Sequence, residues 1–272
     1  MKRLATLAKL SVRKPHTSQL TQAGNYECFS QYQKYAGMQL IKKLKIKSGS
    51  TVLDLGCGTG SLAKVLSTQV GANGRVIAVD PDEERLEIAV QKYSSANIEF
   101  IKANDKSFPL GNYDVVFCND SIQWIRDKEG LYRRVYQNLL PGGCFAISTP
   151  DTSFPIPHIG KKLFDNLLSP GFLPRMNKQV MTYLSANDYK HMADNTGFQI
   201  TSMTSENIAL YWTDLDHYID AMYGWFGGEF DPSQLHENAL NQLRKESGYA
   251  PISLPEPIKK LEFVLSKFLD LV

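Results

Sequence analysis

Between about residues 36 and 150, the apolar residues follow two alternating rhythms. Consecutive apolar runs occur in TVLDLG from 51, GRVIAVD from 74, IEFIKA from 98, YDVVFCN from 113 and CFAIST from 144. Each reads as a short buried strand. Between them, apolar positions recur every three or four residues. Met38, Leu40, Ile41 and Leu44 mark a helix over 36–46, stopped by Lys-Ser-Gly-Ser. Leu62, Val65, Leu66 and Val70 mark another over 61–70. The stretch DEERLEIAVQKY opens with acids in its first turn, as the helix dipole favours, and presents Leu86, Ile88, Ala89 and Val90. LYRRVYQNLL reads as a helix ended by Pro141-Gly142-Gly143. Fully apolar strands separated by helices predict a parallel sheet covered on both faces, hence a doubly wound α/β fold.

Beyond residue 150 the rhythm breaks. Residues 151–176 hold four prolines and irregular apolar spacing. SANDYKHMADNTGF predicts a helix with Ser185 as N-cap and Gly197 as stop. FQITSMTSENIALYW reads as a sixth strand, and DLDHYIDAMYGWFG as an aromatic-rich helix. The tail LPEPIKKLEFVLSKF suits a strand around 262–266 and a helix nearly equally.

Composition adds a few exclusions. A chain of 272 residues, 43% hydrophobic, suits one large domain or a domain with a substantial insertion. A net charge of +2 gives no field directed at nucleic acid. Cys28, Cys57, Cys118 and Cys144 are scattered singly, which argues against a zinc site or a disulfide framework and suits a reducing compartment. No apolar run reaches the ~18 residues of a membrane span. A cytoplasmic protein, monomeric or weakly dimeric, with neither nucleic-acid nor membrane partner, is the expectation. Residues 1–16 carry five basic residues and no acid precedes Glu27, so this leader reads either as a mitochondrial targeting segment or as a solvated tail.

The candidate chemistry sits in D-L-G-C-G-T-G-S, residues 54–61. A dinucleotide fingerprint requires glycine or alanine at position 61, and a P-loop requires lysine there. Ser61 meets neither pattern. Three glycines at a strand-to-helix turn still let backbone approach a ligand closely. Asp54 precedes the loop, and Asp80 ends the next strand, where a carboxylate can take both ribose hydroxyls. Asp80 also suits an N-cap of the following helix, with Pro81 at its first position.

Together, VLDLGCGTGSLAKVL and RVIAVDPDEERLEIA resemble the S-adenosylmethionine-binding half of class I methyltransferases, over about residues 48–150. The resemblance implies a Rossmann-like, mostly parallel sheet of seven strands with one antiparallel edge strand. It implies a tail and cofactor-covering segment at 1–35, the cofactor-binding core at 36–150, and a helical or irregular substrate cap at 151–272 interleaved with the last strands. It implies S-adenosyl-L-methionine as cofactor, with Gly56, Cys57, Gly58 and Gly60 against the methionine and ribose, Asp80 on the ribose hydroxyls and Pro81 on the adenine. Tyr32 belongs to the covering segment and Asp54 to the loop. The family's adenine-reading acid is replaced by Asn104, with Asp105 and Lys106 following, so either Asn104 or Asp105 takes the adenine amino group. Cys118, Asn119 and Asp120 fall under the methionyl arm.

The run QWIRD, Gln123 to Asp127, is similar to the trans-aconitate and juvenile hormone acid methyltransferases and, more distantly, to malonyl-carrier-protein methyltransferases. Those relatives mostly methylate carboxylates, which need alignment but no obligatory base. The resemblance thus implies a small-molecule carboxylate acceptor. Candidate partners for it are Arg126, Arg175, Gln33, Tyr32 and Trp124, although Arg126 equally suits a surface position at the start of the helix over 127–140. Trp225, with Tyr218 and Met222 at helical spacing, fits packing better than a pocket. Alternatives stay open: an N-methyltransferase or a phenol O-methyltransferase using His158, His191 or His217 as base, or a cofactor-binding protein without catalysis. Nothing in the cysteine or carboxylate pattern forms a metal site.

Overall fold

The computed structural model describes Gly24 and residues 30–152, 181–208, 211–212, 214–226, 241–242, 245, 252–253 and 258–268. Helix α1 (Gln31–Lys43) precedes strand β1 (Thr51–Leu55), α2 (Ser61–Val70), β2 (Arg75–Asp80), α3 (Glu83–Tyr93) and β3 (Ile98–Lys102). Then follow β4 (Tyr113–Asn119), a 3₁₀ turn (Ile122–Trp124), α4 (Lys128–Asn138), β5 (Leu139–Pro150), α5 (Ala186–Thr196) and β6 (Phe198–Ile208). The last elements are β7 (Tyr211–Trp212), α6 (Leu215–Phe226), β8 (Ile252–Ser253) and β9 (Ile258–Lys267).

Seven strands form one sheet in the order β3-β2-β1-β4-β5-β9-β6. Strands β1 to β5 pair in parallel, and β9 runs antiparallel to β5. Successive residues of the central strands face opposite layers. Leu53, Leu55, Ile77 and Val79 pack with Leu131, Tyr132 and Val135 of α4 and with Tyr189 and Met192 of α5. Val52, Val76 and Ala78 pack with Leu40 and Ile41 of α1 and with Leu62, Leu66 and Val70 of α2. Each such fully buried side chain contributes about 1.5–3 kcal/mol relative to exposure. This two-sided burial is why the strands read as unbroken apolar runs.

The strand order reverses between β1 and β4. In a doubly wound sheet, the crevice at that reversal, beyond the carboxyl ends of the strands, is where ligands bind. The chain divides into two compact units. The larger holds the described residues of 33–152, 181–205 and 260–268. The smaller includes those of 206–259, where β7 pairs antiparallel with β8 and Trp212 packs edge-on against Tyr218 of α6 at 4.9 Å.

Several elements differ from the sequence expectation. Helix α1 starts at Gln31, five residues earlier than apolar spacing suggests, and stops at Lys43. Pro141-Gly142-Gly143 does not separate helix from strand. It lies inside β5, where the register against β4 jumps from Tyr113↔Leu139 to Val115↔Cys144. The stretch expected as a single sixth strand splits into β6 of the large sheet and β7 of the small one. The ambiguous tail is the ten-residue strand β9. Among the described residues, no helix is long and apolar enough to cross a membrane, and no cluster suits a metal ion.

Candidate functional site

The glycine loop leaves β1 at Leu55 and folds back over the end of β2. Gly56 N–H and Cys57 N–H both donate to Val79 O, at 2.8 and 3.0 Å. Gly58 N–H donates to Asp80 Oδ2 at 2.8 Å. Gly56 sits at φ 79°, and a Cβ there would overlap Ser121 Oγ. That hydroxyl donates instead to Gly56 O at 3.2 Å. Gly60 starts α2 at φ 83°, where a Cβ would come within 2.8 Å of Ala89 and 3.0 Å of the Phe100 ring. Only glycine satisfies both the conformation and the space at these two positions.

Two carboxylates line this loop. Asp54 is 2% exposed, and its Oδ2 has no hydrogen-bond partner. Burial, and secondarily Asp80, push its pKa up to about 8. Asp80 is 5% exposed; burial raises its pKa, opposed by Arg85 and by the N–H groups of Asp82 and Gly58. Asp80 Oδ1 accepts from Asp82 N–H at 3.0 Å. Each Asp80 oxygen therefore retains acceptor capacity. Asp80 is not the cap of α3: Asp82 is, accepting from Arg85 N–H at 3.1 Å. Pro81 accordingly precedes the cap instead of opening the helix. Burial, with Asp54 and Asp80, also raises the Cys57 thiol.

These acids decide the ligand's charge. Gly60 leaves the start of α2 without a side-chain cap, an arrangement that alone favours anions. A pyrophosphate there would meet two buried carboxylates. A cationic nucleoside instead gains from both. S-adenosylmethionine, with its sulfonium, ammonium and ribose, fits this set of donors and acceptors.

At the end of β4, Asn119 Nδ2 donates to Gln33 O of α1 at 2.9 Å, which leaves its buried Oδ1 without a partner. Asn104 is exposed, and its Oδ1 already accepts from Lys106 N–H and Ser107 Oγ at 2.9 and 3.1 Å. Asp105 is half-buried and Lys106 exposed. Trp124 is 37% exposed at the end of the 3₁₀ turn, and Arg126 is exposed. Gln123 turns inward, donating to Asp120 O at 3.0 Å. Asp127 caps α4 through Gly130 N–H. Gln33 is half-buried on α1; Tyr32, in the smaller unit, is buried. Arg175 and His158 lie outside the described residues.

Sequence reasoning missed Ser121, and it missed a buried Lys260 whose ammonium pairs with Asp120. The available signal for Lys260 was the alternation of Lys260, Glu262 and Val264 opposite Leu261, Phe263 and Leu265, which already marks a two-faced strand.

The pattern of the family described as "Methyltransferase domain" matches residues 28–203. A ubiquinone/menaquinone biosynthesis C-methyltransferase of Enterobacter sp. strain 638 is 29% identical over 187 residues, 64% of this chain and 71% of that protein. A malonyl-[acyl-carrier protein] O-methyltransferase of Acetivibrio thermocellus is 32% identical over 130 residues, 47% of this chain and 46% of that protein. Among solved structures, a Haemonchus contortus phosphoethanolamine N-methyltransferase holding S-adenosylhomocysteine superposes with a TM-score of 0.57 at 19% identity, covering 92% of this chain and 58% of that one. A glycine loop backed by two buried acids, on a seven-stranded sheet of this order, agrees with that match: the chain belongs to the methyltransferase-domain family and is an S-adenosylmethionine-dependent methyltransferase.

Proposed function

We propose that the enzyme methylates a carboxylate oxygen of a small molecule, as a member of the trans-aconitate and juvenile hormone acid methyltransferase group. The observation that carries the cofactor half is the buried acid pair, Asp54 with its unpartnered Oδ2 and Asp80 held by two backbone N–H groups, under an uncapped glycine loop. Asp80 takes the ribose hydroxyls. Asp54 Oδ2 and Asn119 Oδ1, both buried and unpartnered, receive the methionyl ammonium. Asp105 reads the adenine amino group, because Asn104 Oδ1 is already engaged in its own turn. Pro81 packs on the adenine.

When bound, S-adenosylmethionine supplies an electrophilic methyl on sulfur. The chain's task is to orient the acceptor and exclude water. Trp124 and Arg126, beyond β4, are assigned to the acceptor, with Gln33 on α1 and Arg175 of the cap. A carboxylate is already ionised at neutral pH, so no base is needed. The malonyl group named for the Acetivibrio relative carries such a carboxylate. The Enterobacter relative favours a second reading, transfer to carbon.

Labelled S-adenosylmethionine, offered with a panel of carboxylic acids, phenols, amines and quinols, tests this. Label released by mild base as methanol supports the ester product. Base-stable label on nitrogen or carbon overturns the carboxylate assignment.

A further inference from the structure

Asp120 is the one non-glycine residue with positive φ, 50°, among the described residues. An L residue rarely rests there, though aspartate tolerates it better than most. Its backbone is held from two sides: N–H donates to Ser148 O at 2.8 Å, and the carbonyl accepts from Gln123 Nε2 at 3.0 Å. Its carboxylate, on a side chain 5% exposed, pairs with Lys260 Nζ, on one 1% exposed. Lys260 stands on β9 opposite Pro150, and Glu262 opposite Ser148. Glu262 in turn pairs with Lys43 of α1 and accepts from Thr204 Oγ1 at 3.1 Å. Charges therefore alternate from Lys43 through Glu262 and Lys260 to Asp120. Removing either partner of a desolvated pair strands the other.

The geometry of residue 120 has a direct consequence one residue later. Ser121 Oγ touches Gly56 O and Asn119 O, both at 3.2 Å. Ser121 O then accepts from Trp124 N–H at 3.0 Å, closing the 3₁₀ turn. If residue 120 relaxed to negative φ, the chain would leave β4 in another direction and Ser121 would leave the glycine loop.

We propose that the Asp120–Lys260 ion pair is a positioning device: it holds residue 120 in the left-handed conformation and so sets Ser121 against the glycine loop and Trp124 at the turn beyond. The reading of that loop as the cofactor site is needed for one of the two readouts below and not for the other.

The full chain is studied by hydrogen exchange without ligand, and by calorimetric titration with S-adenosylhomocysteine. Lys260→Met accelerates exchange over 119–125 and 55–60 by roughly 5- to 30-fold, the population cost of an unsupported left-handed residue. It weakens S-adenosylhomocysteine binding over the same range. The double variants discriminate, since both remove the two charges. Asp120→Gly with Lys260→Met restores slow exchange and binding, because glycine adopts this φ unaided. Asp120→Ala with Lys260→Met does not. Equal behaviour of the two double variants, or unchanged exchange over 119–125 in Lys260→Met, overturns the proposal. If Lys260→Met fails to fold, the two double variants decide. If the wild-type chain binds no S-adenosylhomocysteine, the cofactor assignment falls, and the exchange comparison still decides the role of the pair.

Discussion

Two pairs of buried acids are carried by the same sheet and its connections, and they are treated differently. Asp120 and Glu262 each have a lysine, Lys260 and Lys43. Asp80 is met by backbone N–H groups and the charge of Arg85, and Asp54 has a buried oxygen with no partner and no cation beside it among the described residues. A buried carboxylate is costly unless compensated. Where the chain supplies its own cation, the acid belongs to the architecture. Where it does not, the site is complementary to a cation that arrives from outside. The same kind of side chain thus serves as a strut in one place and as a receptor in another.

The largest expected effect separates these roles on the strut side. Lys260→Met should cost about 3–5 kcal/mol of folding stability by stranding Asp120, read by urea unfolding. A cost below 1 kcal/mol would place Asp120 among the relaxed, solvated acids. On the receptor side, Asp80→Ala should weaken cofactor binding by about 1.5–3 kcal/mol, the value of hydrogen bonds to a charged group. Calorimetry with S-adenosylhomocysteine measures it, and unchanged affinity would remove Asp80 from the ribose site.

A smaller effect concerns Asp54. Its folded pKa of about 8 exceeds the unfolded value of 3.8, so between these values the folded state holds the extra proton. Stability of the ligand-free enzyme should therefore fall as pH rises from about 4 towards about 8, and level off above. Asp54→Asn should flatten this slope in thermal melts while impairing cofactor binding. A slope that persists in the variant would show that the receptor acid is not stored in protonated form. The smallest effect is for the exposed Glu83–Lys102 pair at 2.6 Å. Lys102→Met should leave melting nearly unchanged, because solvent screens such pairs; a large shift would mean that exposure does not separate weak pairs from strong ones.

Much of the receptor side is legible in the sequence. Asp54, the three glycines and Asp80 are contiguous or one strand apart, and local strand-to-helix geometry alone brings them together. The alternation of burial gives β1 to β5 for the same reason. The strut side is not legible, because Asp120 and Lys260 are 140 positions apart and meet through an antiparallel strand whose tail pattern fits helix or strand. The bulge at 141–143 was hidden by the habit of reading Pro-Gly-Gly as a stop. Gly143 instead fills a place where a Cβ would press on backbone carbonyls of Tyr113, Asp114 and Leu140.

The placement of β9 between β5 and β6 also sets an order of construction. As the chain leaves the ribosome, β1 to β5 find their parallel neighbours among segments already made. Strand β6 must wait until residues beyond 258 emerge, since β9 is its neighbour in the sheet. The lysine that pairs with Asp120 arrives in that same strand. A nascent chain halted before residue 260 would carry every residue of the glycine loop and still lack the lysine that pairs with Asp120.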